Sequence, residues 1–321
     1  MLVGGIAMVT TLTACGGSSN PVPTVSPTPS VLATVTEFQV SPLDPGTAIT
    51  TGPDGDLWFT EGTGIGKITT NGAFTAYPVP TSNAWLGDIT TGPDGNLWFT
   101  EGTGKIGRIT PSGSITEYPV PSPSSNPFDI TTGSDGNLWF TESAANKIGR
   151  ITTGGTIAEF ALPGAHAYLS GITAGPDGNL WFTEPGIDAI GKITTSGVVT
   201  DYSLPSTGAL PSDITTGPNG NLWFTEPGID AIGTIATSGV VTSYPIPSVD
   251  ASPRNITTGP DGNLWFTENN EAGQIGRISP SGAITLYSLS APMALGGIAT
   301  GPDGELWFTV MNGHSIGKIA L

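Results

Sequence analysis

The chain has 321 residues and a formal net charge of −17, from 26 acidic residues against 9 basic ones. A field of that sign repels phosphate backbones and anionic membrane surfaces, so we expect no nucleic-acid partner. Charged residues make up only 11%, while glycine (47) and proline (29) are abundant. This composition disfavours helices and suits many short strands joined by tight turns.

Residues 1–15 read as a lipoprotein signal peptide. The apolar run MLVGGIAMVTTLTAC ends at the only cysteine of the chain, Cys15. The segment Leu12-Thr13-Ala14-Cys15 resembles a bacterial lipobox, whose cysteine is acylated after cleavage. We therefore expect an extracytoplasmic protein of the bacterial cell envelope that touches the membrane only through this anchor. The alternative is an apolar N-terminus with an incidental cysteine.

Residues 16–34 are rich in serine, proline and glycine and have no periodic apolar face. Such a segment cannot bury enough apolar surface to fold, and its prolines keep it extended. It is predicted to be a tether between the anchor and a folded domain at 35–321.

Tryptophan recurs at a nearly constant interval in the remaining chain. The seven tryptophans of this series are Trp58, Trp98, Trp139, Trp181, Trp223, Trp265 and Trp307, spaced by 40 to 42 residues. Each interval holds four strand-sized segments separated by turn residues, which is typical of a propeller blade. The sequence therefore predicts an all-β, seven-bladed β-propeller of four-stranded blades.

The two ends of the domain predict how the ring closes. The last repeat stops after three strands, at Ile316–Ile319, whereas Val35–Val40 matches the outer-strand pattern of the other repeats. Pairing this N-terminal strand with the C-terminal three would complete the seventh blade and remove exposed sheet edges. We expect a closed ring that is a monomer.

Residues present in every repeat are assigned to the scaffold. The Trp-Phe pair alternates across each second strand, so each face of a blade receives a large apolar group. The Asp-Gly turns are also structural, since Asn219 replaces one aspartate without breaking the motif. Six of the nine basic residues follow Ile-Gly on the third strand, where we expect them to cover an aromatic ring or pair with an acid.

Two columns of acidic residues meet at the rim opposite the Asp-Gly turns. Asp88, Asp129 and Asp213 stand at the start of the first strand, with Asn255 at the matching place in the sixth repeat, and glutamate ends the second strand of six repeats. The three aspartates could bind Mg²⁺ or Ca²⁺, or a cationic ligand. For the recurrent glutamates we favour local hydrogen bonds or ion pairs instead.

Residues that vary between repeats at this rim are better candidates for ligand binding. They are Trp85, Phe128, His166, Tyr168 and Arg254. An aromatic-lined mouth with one guanidinium predicts a surface for a small molecule, or for a cationic or protein ligand.

The elements GPDGNLWFTE, IGRIT and ITEYPVP, repeated in register over residues 35–321, resemble those of the virginiamycin B lyase family. The resemblance implies a seven-bladed propeller and Mg²⁺-dependent elimination that opens streptogramin B antibiotics, with a histidine base and glutamates at the mouth. The family's histidines precede the first strands of late blades, where this chain has Arg254 and Gly296. Val310 and Met311 also replace the acid of the last blade.

We therefore assign no catalytic residue and expect a binding or interaction module whose ligand sits at the acidic, aromatic mouth. One alternative is a lyase of the virginiamycin B type with a rearranged site, in which His166 or a rim carboxylate acts as the base. A third is a metal-dependent propeller lactonase or hydrolase that uses the carboxylates.

Overall fold

The computed structural model describes residues 31–32, 34–40, 45–164, 167–270, 273–289 and 292–320. Cys15 and His166 lie outside the described residues, so acylation of the one and a site role for the other stay predictions. In the part of the chain that is described, no helix is long and apolar enough to cross a bilayer.

Seven antiparallel sheets form the blades of a ring, which confirms the predicted all-β propeller. The first strands of successive blades contact one another around the centre, and blade 7 contacts blade 1 in the same way. From the centre outward, the strands are Pro45–Thr51, Leu57–Glu61, Gly64–Ile68 and Phe74–Pro78 in blade 1; Leu86–Thr91, Leu97–Glu101, Lys105–Ile109 and Ile115–Pro119 in blade 2; Pro127–Thr132, Leu138–Glu142, Lys147–Ile151 and Ile157–Ala161 in blade 3. They continue as Ile172–Ala174, Leu180–Glu184, Ala189–Ile193 and Val199–Ser203 in blade 4; Ile214–Thr216, Leu222–Glu226, Ala231–Ile235 and Val241–Pro245 in blade 5; Pro253–Thr258, Leu264–Glu268, Gln274–Ile278 and Ile284–Ser288 in blade 6; Leu295–Thr300, Leu306–Val310, Ser315–Ile319 and Val35–Gln39 in blade 7. Single 3-10 turns, Pro185–Ile187 and Pro227–Ile229, follow the second strands of blades 4 and 5.

Blade 7 closes the ring as predicted. Val35–Gln39 pairs antiparallel with Ser315–Ile319, and the ring of Phe38 stacks on Trp307 with centroids 5.4 Å apart. A further short strand, Val31–Leu32, pairs in parallel with the outer strand of blade 6 at Tyr287 and Ser288. These two residues fall inside the segment that the sequence predicts as a tether.

The core lies between blades, because each second strand sends tryptophan to one side and leucine and phenylalanine to the other. Trp58 of blade 1 packs with Leu97 and Phe99 of blade 2. The same arrangement joins blade 7 to blade 1, where Trp307 packs with Leu57 and Phe59. The seven tryptophans of the repeat are 0–1% exposed, so the ring is held together by seven equivalent apolar seams.

The Asp-Gly turns are tied to this core. In each blade the aspartate, or Asn219 in blade 5, accepts a hydrogen bond at Oδ1 from the tryptophan indole, as Asp54 does from Trp58 at 3.0 Å. Lys67 pairs with Asp54 at 2.7 Å and lies 5.2 Å from the Trp58 ring centroid. Both expectations for the basic column, ring coverage and acid pairing, are confirmed in this blade. Blade 5 lacks both charges, since Thr234 stands opposite Trp223.

Candidate ligand-binding mouth

A β-bulge opens the first strand where it reaches the mouth. In blade 2, Leu86 pairs with Glu101 and Ile89 pairs with Phe99, so Gly87 and Asp88 together face one residue, Thr100. Blades 3, 6 and 7 have the same register shift. A bulge re-aims side chains and often borders functional sites. In blades 2 and 3 the bulge contains the residue of the aspartate column, Asp88 or Asp129, and both residues line the central channel.

The threonine opposite each bulge joins neighbouring blades. The Asp88 amide donates to Thr100 Oγ1 at 2.9 Å, and the Thr100 hydroxyl donates to the carbonyl of Phe128 in blade 3 at 2.8 Å. Equivalent bonds from Thr141, Thr183, Thr225 and Thr267 bridge the following blades. The threonine of the repeated Trp-Phe-Thr-Glu motif therefore links the first strand of the next blade to its own blade around the mouth.

The channel mouth is a cavity of about 470 Å³. Six predicted site residues line it: Asp88, Phe128, Asp129, Asp213, Arg254 and Asn255. Trp85 and Tyr168 are not among the lining residues but stand on the surrounding rim. The structure thus brings Phe128 and Arg254 together with the aspartate column, with Trp85 and Tyr168 outermost.

The aspartates of the mouth are bound to backbone amides of the next blade. Asp129 Oδ2 accepts from the Ile172 amide at 2.8 Å, and Asp213 Oδ2 accepts from the Ile256 amide at 2.8 Å. Asp88 makes a longer contact of this kind, 3.4 Å, with Ile130. Each carboxylate therefore also serves as a bridge between blades.

Burial of the aspartate carboxyls at the mouth favours their protonated forms. Burial, followed by the charge of the adjacent Asp88, raises the pKa of Asp129 well above its usual value. Burial also raises the pKa of Asp88, although its hydrogen bond with Asp129 opposes this change. Burial raises the pKa of Asp213 to about 7. All three shifts favour the neutral carboxyl, whereas a positively charged group beside them would favour the ionised form.

The donor set does not fit the Mg²⁺ that the family resemblance implies. Among the described residues, no group of three or more His, Cys, Asp or Glu side chains is arranged to hold a metal ion. Val310, which ends the second strand of blade 7, supplies no side-chain oxygen, and Asp129 and Asp213 each already accept hydrogen bonds from two amides. Metal binding at Asp88, Asp129 and Asp213 stays a prediction, and we derive no reaction step through a metal.

Arg254 brings a positive charge into this acidic mouth. Its side chain is half-buried, and burial lowers the pKa of its guanidinium. Within the described ranges this guanidinium forms no hydrogen bond or ion pair, although the Arg254 carbonyl accepts from Thr225. The side chain is therefore available to a polar or anionic group of a ligand.

The rim carries large apolar side chains on strained backbone. Trp85, Tyr168 and Leu210 have φ angles of 51°, 52° and 50° and are 80%, 64% and 49% exposed. They occupy the same position in blades 2, 4 and 5, three residues before the position of the aspartate column, and Phe128 adds a fourth exposed apolar side chain in blade 3. Together these four residues form the apolar rim. Leu210 was not among the sequence-based candidates, because a single exposed leucine carries no pattern.

The glutamate column differs from the sequence-based expectation. Local hydrogen bonds are present at Glu268, which accepts from Ser248 and Asn270. By contrast, Glu101, Glu142 and Glu226 are fully buried, and both carboxylate oxygens of each lack a partner among the described residues. Burial raises the pKa of Glu101 and Glu142 to about 7. The sequence did not reveal this burial, because a glutamate that recurs in nearly every repeat looks like a scaffold residue.

Comparison with known proteins identifies similar propellers. A family model described as the virginiamycin B lyase family matches residues 33–294. The structure of selenomethionine-substituted virginiamycin B lyase from Staphylococcus aureus is 40% identical, with a TM-score of 0.85 over 90% of this chain and 99% of that one. A catalytically inactive histidine-to-alanine variant of that lyase, solved with quinupristin, gives the same values.

Further comparisons add only the architecture. The extracellular domain of a hybrid two-component system from B. thetaiotaomicron is 17% identical, with a TM-score of 0.70 over 90% of this chain and 42% of that chain. A search of curated proteins gave no match. Similarity at this level of identity supports the propeller fold alone.

Proposed function

The chain belongs to the virginiamycin B lyase family, and from this premise we propose that it is a binding protein that holds a compact macrocyclic ligand at the mouth without opening it. The ligand would lay an apolar face on the rim of Trp85, Phe128, Tyr168 and Leu210. A polar group would enter the channel toward Arg254 and the aspartates.

The observation that carries this proposal is the strained apolar rim. A left-handed backbone costs a residue other than glycine about 1–2 kcal/mol, and an exposed tryptophan or tyrosine regains none of this by burial. The matching residues of blades 3 and 6, Asn126 and Ser252, also have positive φ, but they are small and polar. The large apolar groups of Trp85 and Leu210 are exposed at such positions, and a ligand that covers them would account for their presence.

The presence of Arg254 in place of a histidine base supports ligand binding without catalysis. A general base must accept a proton near the working pH, whereas a guanidinium stays protonated. No histidine is found among the described residues that line the mouth. A ligand like the quinupristin that is bound in the relative's structure would therefore meet the Arg254 guanidinium where the family resemblance implies a histidine base.

Trp85 provides a direct test, because it is 80% exposed while the other seven tryptophans are buried. Titration with quinupristin should change the Trp85 fluorescence saturably and reduce its quenching by iodide. Calorimetry should give a single site, and chromatography should recover the ligand intact. Leu210→Ala should weaken binding roughly ten-fold, the equivalent of about 1.5 kcal/mol of lost apolar burial.

Val240→Ala is the matched control. Val240 is also an exposed apolar side chain, 66% accessible, but the turn that contains it lies at the opposite end of the propeller, beside the Asp-Gly turns. Binding should be unchanged in this variant. Equal loss in Leu210→Ala and Val240→Ala, or no fluorescence change at saturating quinupristin, would refute a site at the rim.

A second candidate, a lyase with a rearranged site, is favoured by one observation. The carboxyl of Asp213 lines the mouth with a pKa of about 7, and a group that titrates near the working pH is suited to general base catalysis. Linearisation of quinupristin that disappears in Asp213→Asn, while binding persists, would establish this activity. Intact ligand after prolonged incubation at high protein concentration would exclude it.

We also propose that the propeller is held at the outer face of a bacterial membrane by acylation of Cys15. The support is the lipobox-like Leu12-Thr13-Ala14-Cys15 and the proline-rich segment that follows it. Labelled palmitate should enter the wild-type protein and not Cys15→Ser, which should be released into the soluble fraction. Membrane retention of the unlabelled variant would contradict this assignment.

A further inference from the structure

Arg254 differs from the other basic residues of the chain in having no partner within the described structure. Most of the others form ion pairs with aspartate or glutamate. These are Lys67, Lys105, Arg108, Lys147, Arg150, Arg277 and Lys318. Lys192 lies 5.2 Å from the ring centroid of Trp181, and its charge attracts Asp177. The Arg254 guanidinium has neither an ion pair nor an aromatic ring beside it among the described residues.

The Arg254 side chain borders the open mouth. It lines the cavity of about 470 Å³ and is half-buried. Burial lowers the pKa of its guanidinium, because a cation taken partly out of water loses hydration. No anion of the described fold compensates for that loss. An anionic group of a ligand in the cavity would supply the missing partner.

Three aspartates line the same cavity but do not neutralise Arg254. Asp129 and Asp213 direct their oxygens at backbone amides, and burial raises the pKa of Asp88 and Asp129 and that of Asp213 to about 7. In the described chain these three and Arg254 are the titratable side chains that line the cavity. When the carboxyls hold protons, the charge of Arg254 remains and repulsion of an incoming anion is reduced.

A carboxylate fits this arrangement better than a dianion does. A guanidinium offers two parallel N–H groups to the two oxygens of a carboxylate, and the single charge of Arg254 balances a single negative charge. A phosphate dianion would bring a second negative charge toward the aspartates. The exposed rings of Trp85, Phe128 and Tyr168 at the rim favour an apolar body for the ligand.

We propose that the mouth binds an apolar compound through a carboxylate, which pairs with the guanidinium of Arg254. The inference rests on the proposed function for the place of the ligand and names the polar group that enters the channel. Free organic acids and the C-terminal residues of peptides both carry this group. Because Asp213 titrates near neutral pH, binding of the anion should be accompanied by uptake of a proton.

The probe is 3-phenylpropionate, with 3-phenylpropanamide as a neutral control of the same shape. Saturation-transfer NMR at pH 6 should give a roughly millimolar dissociation constant for the acid, as expected for a ligand of this size. The amide should bind at least ten-fold more weakly. N-acetylphenylalanine distinguishes the sources, since it should bind more tightly than 3-phenylpropionate if the mouth takes a peptide terminus and less tightly if it takes a free acid.

Substitution of Arg254 tests the pairing. Arg254→Gln should remove the preference for the acid and leave binding of the amide unchanged. Arg254→Lys should retain part of the preference, because an ammonium keeps the charge but not the paired N–H groups. Arg277→Gln is the matched control, since Arg277 already pairs with Asp261 at the opposite end of the propeller, and both probes should bind to it as to the wild type.

The pH dependence tests the role of the aspartates. Binding of 3-phenylpropionate should weaken several-fold between pH 6 and pH 8.5, because deprotonation of Asp213 above about pH 7 adds a negative charge to the cavity. The probe stays ionised throughout this range, as a glutamate side chain does in water. Asp213→Asn should reduce the pH dependence, and an affinity that does not change with pH in the wild type would contradict proton uptake.

Equal binding of the acid and the amide, or an equal loss of both in Arg254→Gln, would overturn the proposal. Binding of the acid that appears only in Glu271→Gln would also overturn it, by showing that Glu271, which lies outside the described residues, pairs with Arg254. Displacement of the acid by an equal concentration of inorganic phosphate would overturn the assignment to a carboxylate.

Titration with quinupristin separates this inference from the proposed function. If quinupristin binds at the rim and the acid is not preferred over the amide, the carboxylate inference fails alone. If the acid binds through Arg254 and quinupristin does not bind, the macrocyclic ligand class fails alone.

Discussion

Replacement of Glu61 by glutamine tests whether ionisation of the buried glutamates lowers the free energy of unfolding as the pH rises. Glu61 is 3% exposed, and its Oε1 has no hydrogen-bond partner among the described residues. Burial alone raises its pKa from 4.5 to about 7. Glutamine keeps the shape of the side chain and cannot ionise, so any stability that the wild-type protein loses by ionising this group should be absent from the variant.

The sign and size follow from proton linkage. Because the folded state holds the proton more tightly, the contribution of Glu61 is fully present below the unfolded pKa of 4.5 and is lost as the pH rises to about 7. A shift of this size corresponds to roughly 3 kcal/mol. We therefore expect Glu61→Gln to match the wild type at pH 4.5 and to be more stable by up to about 3 kcal/mol at pH 8.

Urea unfolding at pH 4.5, 6 and 8 measures this difference, and Glu117→Gln provides a control of opposite sign. Burial alone would raise the pKa of Glu117, but its bonds with Lys105 and Thr81 lower it overall. Its contribution is therefore present at neutral pH, and glutamine should be the less stable variant at pH 8. Parallel stability curves for Glu61→Gln and the wild type would refute the reasoning, since they would show that the carboxylate is satisfied in the fold.

Two substitutions test the scaffold. Asp94→Ala removes the acceptor 3.0 Å from the Trp98 indole nitrogen and should lower the free energy of unfolding by about 1–3 kcal/mol. Asp94→Asn should lower it by less than half as much, because Asn219 makes the same bond in blade 5. Equal melting temperatures for the two variants would contradict this role. Gly107→Ala would place a Cβ against the Phe99 ring and should lower the free energy of unfolding by about 1–3 kcal/mol. Calorimetry measures this change. A variant as stable as the wild type would show that the ring moves aside without loss of stability.

The fold was predictable because the sequence repeats the same pattern of strands and turns seven times. A tryptophan every 40 to 42 residues gives the number of blades, and the match between Val35–Val40 and the outer strands gives the closure. Period-two alternation also gives the two packing faces of each second strand, since it depends only on the pleat. These features follow from local patterns that the chain itself repeats.

Candidate site residues could be chosen from the sequence only where they depart from the repeat. Trp85, Phe128, Tyr168 and Arg254 were chosen because they break the pattern, and the structure places them at the mouth or its rim. The bulge that contains Asp88, the amides that Asp129 and Asp213 bind, and the positive φ of Leu210 depend on contacts between blades. The burial of Glu101 likewise depends on how the blades pack. The recurrence of glutamate at one position of the repeats does not show whether its carboxylate is solvated or buried.

The apolar seams between blades make the propeller a closed ring rather than an open stack of repeats. In an open repeat array the end units have one neighbour and can fray separately. Here the seams include blade 7 with blade 1, and Thr60 of blade 1 continues the series of threonine bonds by donating to Gly87 of blade 2 at 3.4 Å. Every blade has two neighbours, so the loss of any one opens two seams at once. The molecule has no weakest end from which to unravel, and a ligand that bridges several blades at the mouth would tighten the whole circumference.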